Sequence, residues 1–270
     1  MRVQNIIYYP IKSCKGIEVE QSVVEPRGLE NDRRLMVVYA TGRFLTQRDK
    51  PALALVEPKI DGGSLSLQAP GMERISIALN RDGKERTVDV WNDSARAVDQ
   101  GEVVAEWLST FLRTNCRLVQ IGSSFERKAR VTKGTTTDVS FADHYPLVIT
   151  TQESLDYLNE RLEEPLMMSQ MRPNVVLAGG EPFEEYQWQT LSIGTTELIK
   201  VEDCERCALT LINQDTASKG REPLKILTSM RIKPFHRAVF GIHAATVESG
   251  VIAKLSQVQI SKSVESEVPN

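Results

Sequence analysis

Cys204 and Cys207 form a C-x-x-C within ELIKVEDCERCALTLIN, the part of this sequence whose residue types most directly suggest chemistry. The spacing leaves several readings open. A thioredoxin-type dithiol would open a helix, whose N-terminal dipole lowers a thiol pKa below its usual ~8.5. The apolar run that follows, Ala208 to Ile212, instead predicts a strand. A structural zinc site needs two further ligands. Neither Cys14, Cys116 nor the histidines His144, His236 and His243 supply a second C-x-x-C or a finger-like pairing. One thiolate at a strand end also suffices for a soft metal centre.

A second group of residues suits an anion. In YPIKSCKG, Tyr9 to Gly16, a turn carries Lys12, Ser13 and Lys15. A cation, a hydroxyl and free backbone donors can hold a phosphate through charge-assisted hydrogen bonds worth roughly 1.5 to 3 kcal/mol each, although the motif by itself is better read as a solvated turn with ordinary lysines. Asn31-Asp32-Arg33-Arg34, Gln47-Arg48 and Met171-Arg172-Pro173-Asn174 place guanidinium groups beside expected strands, although arginine pairs with carboxylates far more often than with cofactors.

These residues must be positioned by a β-rich scaffold. Over the first ninety residues, Ile17 and Val19 alternate with Glu18 and Glu20, and Ile75, Ile77 and Leu79 alternate with Ser76 and Ala78. Gly28, Gly42, Gly62, Gly63 and Arg81-Asp82-Gly83 punctuate them at hairpin intervals, as in a small barrel or curled sheet. The period then changes. Val104, Trp107, Leu108, Phe111 and Leu112 fall on one helical stripe over 101–113. Residues 122–140 are polar and carry Arg127, Lys128, Arg130 and Lys133, which predicts a long, solvated basic loop; the alternative is a lid that meets an anionic cofactor or an acidic electron carrier. Pro146 to Ile149 reads as a buried strand, and Thr150 with Glu153 as the capping box of a helix carrying Leu155, Leu158 and Leu162. Further strands are expected at Asn174 to Ala178, Leu191 to Ile193 and Leu198 to Val201.

Composition removes whole classes of function. Among 270 residues, 33 Lys and Arg face 36 Asp and Glu for a net charge of −3, which disfavours a nucleic-acid partner. Apolar content of 41% and charged content of 26% describe a folded globular chain. No run approaches the ~18 to 20 apolar residues that span a bilayer, and MRVQNIIYYP lacks the pattern of a signal peptide. The expectation is a cytoplasmic protein without a membrane partner. Four cysteines are too few for a disulfide scaffold.

Taken in order, YPIKSCKG, NDRRLMVV, FLTQRDKP, FADHYPLVITTQESLDYLN, MRPNVVLAGGEPFEEYQWQTLSIG and VEDCERCALTLINQDTASKGREPL resemble MOSC-domain proteins that join an N-terminal β-barrel domain to the MOSC domain proper, the group containing the mitochondrial amidoxime reducing component. The resemblance implies a β-rich α+β fold of two β-barrel-like domains with peripheral helices and a cofactor cleft between them. It divides the chain into an N-terminal β-barrel domain (1–120), a MOSC domain (121–262) and a flexible tail (263–270). It implies a molybdenum cofactor, Mo-molybdopterin, with Cys207 as catalytic metal ligand and Cys204 as its structural or modulatory partner. Cofactor contacts fall on Lys12, Ser13, Arg33, Asp143, Arg172, Asn174 and Arg206. Where the mitochondrial enzymes have Asp-Thr-Ser this chain has Asp143-His144-Tyr145, and where they have Ser-Arg-Cys it has Glu205-Arg206-Cys207. His144 there is either a proton donor, its ordinary pKa of about 6.5 being suited to that task, or a hydrogen-bonded structural residue. The activity implied is reduction of N-hydroxylated small molecules, such as hydroxylaminopurines and amidoximes, to amines or amidines, with electrons from a separate donor protein. The alternative is a molybdenum-cofactor carrier or sulfur-relay protein without reductase activity.

Overall fold

Alternating strands of this kind bury one face each, and a chain of them is stable only when those faces close on a shared core. The computed structural model describes residues 1–230 and 237–262; the tail expected over 263–270 lies outside them. The largest sheet has eight strands, in the order Ile17–Val19, Arg2–Tyr8, Val175–Ala178, Leu147–Thr151, Val239–Glu248, Thr196–Glu205, Trp188–Ile193 and Val258–Lys262. A four-stranded sheet runs Leu35–Tyr39, Cys116–Ile121, Asp93–Asp99 and Glu85–Val90. The sheets curl into half-barrels with helices outside and a cleft between them, as the expected β-rich α+β class requires.

The halves are interleaved in sequence. Arg2–Tyr8 leaves the N-terminal half to pair antiparallel with Val175–Ala178, and Gln21–Glu25 pairs with Gly250–Ala253. The first strand therefore delivers the turn at 9–16 directly to the edge of the later domain. Ile6, Leu147, Ile149, Val175, Leu177, Ile242 and Ala244 are almost completely buried under the large sheet. Each of the Ile, Leu and Val side chains among them contributes roughly 1.5 to 3 kcal/mol by leaving water.

The helical stripe forms Glu102–Leu112, entered at Gly101 and left through Arg113 in the left-handed region. Val104, Trp107, Leu108 and Leu112 are buried, and the Trp107 indole donates to the Glu73 carbonyl at 2.7 Å. The helix over Gln152–Asn159 is capped one residue later than expected. Thr151, not Thr150, accepts from the Ser154 amide, and Glu153 instead accepts from Gly179 at 2.6 Å. Thr150 is buried in the preceding strand, which runs through Thr151.

Two other expectations are corrected. Part of the basic segment 122–140 is an antiparallel hairpin, Lys128–Thr132 with Thr135–Asp138. Arg127 beside it is buried and donates to the carbonyls of Ser140 and Asp143, both at 3.0 Å, and to that of Ala142. Periodicity could not show this, because a cation's partners here lie in the next segment. After Cys207 the expected strand is a 3-10 turn, Ala208–Leu211. A short apolar run does not distinguish the two conformations.

Candidate functional site

The cleft opens where three turns with unusual backbone meet. Ser13, Arg33 and Arg172 all have positive φ, at 68°, 48° and 52°. Non-glycine residues held there cost of order 1 to 3 kcal/mol each and concentrate at functional sites. The Lys12 amide donates to Leu35 O at 2.8 Å and the Arg33 amide to Tyr9 O at 2.7 Å, which ties the first two turns together. Arg172 ends the short helix Met168–Met171 as its left-handed cap.

Tyr9 is the centre of this arrangement. Its ring lies between two guanidinium groups, Arg33 at 4.4 Å and Arg172 at 4.2 Å. Burial pushes its phenol up to about 12, against the lowering effect of both arginines, so the hydroxyl stays protonated and donates to Pro173 O at 3.1 Å. Arg33 also donates to Asp32 at 2.7 Å and to Asn174 Oδ1 at 2.9 Å. Asn174 is fully buried. Its Oδ1 accepts from the Val148 amide at 3.1 Å and its Nδ2 donates to Ile7 O at 3.2 Å. Its polar atoms are thus engaged by protein, and Asn174 supports the cleft through Arg33 without lining it.

Lys12 is buried and donates to Phe141 O at 2.7 Å and to the Asp143 carboxylate. Burial lowers the ammonium to about 8, with Asp143 pulling it back up. Burial alone would raise the Asp143 carboxyl, but the Lys12 charge, that of Arg48 and a hydrogen bond from Trp91 Nε1 at 3.2 Å hold it well below the usual carboxylate range.

The two cysteines have different surroundings. Cys204 is buried on the strand Thr196–Glu205, where burial raises its thiol pKa and favours the protonated form. Cys207 is exposed at the start of the 3-10 turn, and Arg48 Nη1 donates to its Sγ at 3.2 Å. Arg48 in turn lies over the Trp91 ring at 4.7 Å. Both cysteines are free thiols. One buried and one exposed sulfur do not make the paired dithiol of a helix start.

Lys12, Ser13, Arg33, Asp143, Arg172, Arg206 and Cys207 all line one cleft of about 240 Å³. A wider vestibule of about 630 Å³ adjoins it, the two sharing Trp91, Asp143, His144, Tyr145 and Glu205. Four cations line the inner cleft against the carboxylates of Asp143 and Glu205. Arg206 is braced by Phe240 O and Met171 O, both at 2.9 Å, while its Nη2 and that of Arg172 are buried without a partner among the described residues. Two unpaired guanidinium N–H groups cost energy unless an acceptor meets them. They fit the phosphate of a cofactor, and the exposed thiol fits a soft metal.

The sequence places Arg48 beside an expected strand, but nothing in it brings Arg48 to Cys207 or Trp91 to the cleft. His243 is buried near the same cleft, and burial lowers its imidazole to about 4, which leaves it neutral. His144 is exposed, with Nδ1 3.5 Å from Glu202 Oε1. No helix among the described residues is long and apolar enough to cross a membrane.

Comparison with known proteins matches two family models to separate parts of the chain. Residues 1–115 match the MOSC N-terminal beta barrel domain, and residues 136–259 match the MOSC domain. The chain is 35% identical over 246 residues to mitochondrial amidoxime reducing component 2 of Rattus norvegicus, covering 85% of this chain and 72% of that one. The Homo sapiens protein of the same name is 33% identical over 242 residues, with the same coverage. Molybdenum cofactor sulfurase of Danio rerio is 30% identical over 263 residues, covering 89% of this chain and 31% of that one. The cytoplasmic expectation is corrected by these relatives, since those matched over 72% of their own length are named as mitochondrial components.

Proposed function

Because this chain belongs to the MOSC-domain family, with an N-terminal MOSC β-barrel domain ahead of the MOSC domain, we propose that it reduces N-hydroxylated compounds, amidoximes and hydroxylaminopurines among them, to amidines or amines. The family assignment carries a molybdenum-cofactor-related oxidoreductase function in general. The finer reading rests on one observation: an exposed thiol, Cys207, in the same cleft as two buried guanidinium nitrogens that lack an acceptor.

In this reading Cys207 Sγ ligates the metal as thiolate, while Arg172, Arg206, Lys12 and Ser13 hold the anionic end of the pterin. The cofactor, when bound, would supply two-electron redox and oxygen-atom-transfer chemistry. Every other contribution is positional. Arg33 and Arg172 are fixed on Tyr9, so their charges do not have to be reorganised when an anion arrives. Asp143 stays ionised and holds Lys12 in place. Arg48 sets a positive charge against the sulfur from the opposite domain. The vestibule, about 630 Å³, has room for a small N-hydroxylated substrate and adjoins the inner cleft that Cys207 lines. A separate donor protein supplies the electrons.

The test is molybdenum and pterin content of the purified chain, made in cells that synthesise the cofactor, beside Cys207→Ala, followed by amidoxime reduction with an artificial reductant. Near-stoichiometric molybdenum that falls in the variant, with turnover in the parent, is the expected result. Molybdenum and pterin both missing from the parent would sink the reading. The likeness to molybdenum cofactor sulfurase over 89% of this chain favours a second reading, a cofactor carrier or sulfur relay. Full occupancy without turnover would select it.

A further inference from the structure

Three donor side chains converge at the lip of the cleft, apart from the thiol. Glu202 and His243 are directly opposite each other on the antiparallel strands Thr196–Glu205 and Val239–Glu248. Register shifts on both sides of that pair mark bulges, which re-aim side chains. Gly241, two residues before His243, has φ of 70°, and a Cβ there would lie 2.5 Å from Ile149 O, so the strand approaches its neighbour too closely for a side chain. His144 comes from the turn leading into Leu147–Thr151, the neighbouring strand. One donor atom from each of the three lies within 4.8 Å of the others, the one such group of His, Cys, Asp and Glu among the described residues.

The spacing is close to that of a coordination shell. Tetrahedral ligands at about 2.0 to 2.2 Å from an ion stand about 3.3 to 3.6 Å from one another. His144 Nδ1 and Glu202 Oε1 are 3.5 Å apart. Both side chains are more than two-fifths exposed and can turn the remaining distance toward His243. His243 is only 7% exposed, and its Nδ1 is buried without a hydrogen-bond partner among the described residues. A buried acceptor or donor in that state costs about 1 to 3 kcal/mol, a cost that ligation of an ion through Nδ1 would relieve.

Donor chemistry narrows the ion. Calcium and magnesium want oxygen ligands, and a thiolate-preferring centre wants Cys207. Two imidazoles and one carboxylate form a common ligand set for zinc with its fourth position open. We propose that His144, Glu202 and His243 bind one divalent cation of the zinc class at the lip of the cleft, independently of Cys207.

The full chain carrying Cys207→Ala, stripped with EDTA, is titrated with ZnCl2 calorimetrically and with CoCl2 by visible absorption. Removing the thiol first keeps the result separate from the molybdenum reading. The expected outcome is one bound equivalent, weakened more than about tenfold by His144→Ala and likewise by Glu202→Gln, with loss of the four-coordinate cobalt absorption. Both residues are exposed, so neither variant endangers the fold. No bound equivalent, or unchanged affinity in either variant, would overturn the proposal.

Discussion

On the floor of the cleft, Arg33, Arg172 and Arg206 reach their positions already tied to protein: two against the Tyr9 ring and the third to the Phe240 and Met171 carbonyls. At the rim, Cys207, His144 and Glu202 are exposed, and the clearest brace on the sulfur is a single guanidinium from Arg48. The floor is fixed where a ligand must be held, and the rim is open where a substrate must arrive. The same chain builds both: Arg33 and Arg172 sit in turns held between strands, while on the rim Cys207 and His144 lie just outside the strands and Glu202 on a bulged one.

The sharpest way to break this contrast is at the rim. Cys207→Ala is expected to remove all measurable reduction of N-hydroxylated substrate while urea unfolding shifts by less than about 0.5 kcal/mol, as for an exposed side chain. Retained turnover, or a large loss of stability, would put Cys207 on the wrong side of the comparison. The floor should respond in the reverse sense. Asn174→Leu leaves the Val148 amide, the Ile7 carbonyl and one Arg33 N–H without their partner, and is expected to cost about 3 kcal/mol in the same unfolding measurement. A cost below about 1 kcal/mol would mean that the floor is looser than its hydrogen bonds indicate.

A pH titration separates the regions by charge. The Lys12 ammonium, lowered by burial to about 8, ceases to be a cation above that pH. Affinity of the cofactor-free chain for inorganic pyrophosphate is expected to fall by about tenfold per pH unit above pH 8. The folded chain sheds this proton near pH 8 and the unfolded chain only near 10.5, so burying Lys12 costs stability below pH 8 and the cost fades as pH rises between the two values. A flat pyrophosphate affinity through pH 9 would exclude Lys12 from the anion site. The smallest effect belongs to the outer surface. Lys128→Glu with Arg130→Glu is expected to slow reduction by a protein donor about two- to threefold at low salt and not at all in about 0.5 M salt. Arg127 is a buried brace of the Asp143 segment, not a docking charge.

Much of this was legible in the sequence, for reasons that differ by residue. Val104, Trp107, Leu108 and Leu112 announce their helix because its buried stripe is a repeat that only a helix produces. Lys12 and Ser13 are compatible with an anion by their chemistry, but a solvated turn accounts for that motif equally well, and only the family resemblance points them at a cofactor. The pairing of Arg48 with Cys207 and Trp91 could not be read, since those residues come from three separate segments and meet only through tertiary packing. Nor could the left-handed backbone at Ser13, Arg33 and Arg172, because none of the three is glycine, the residue that normally signals it. Arg127 was misread because a run of cations says nothing about which of them turns inward.

One contact between the halves behaves unlike all the ion pairs around it. Gln47 and Gln214 exchange two hydrogen bonds, each 2.9 Å, and Gln47 also donates to Ser13 O at 2.7 Å while Gln214 accepts from Arg172 at 3.2 Å. The amide pair carries no net charge and has no proton to lose or gain over the biological range. Its grip is therefore indifferent to ionic strength and to acidity, so it works as a neutral latch. The separation of the two half-barrels at that point can stay constant while the charge inside the cleft swings by several units as an anion enters and leaves.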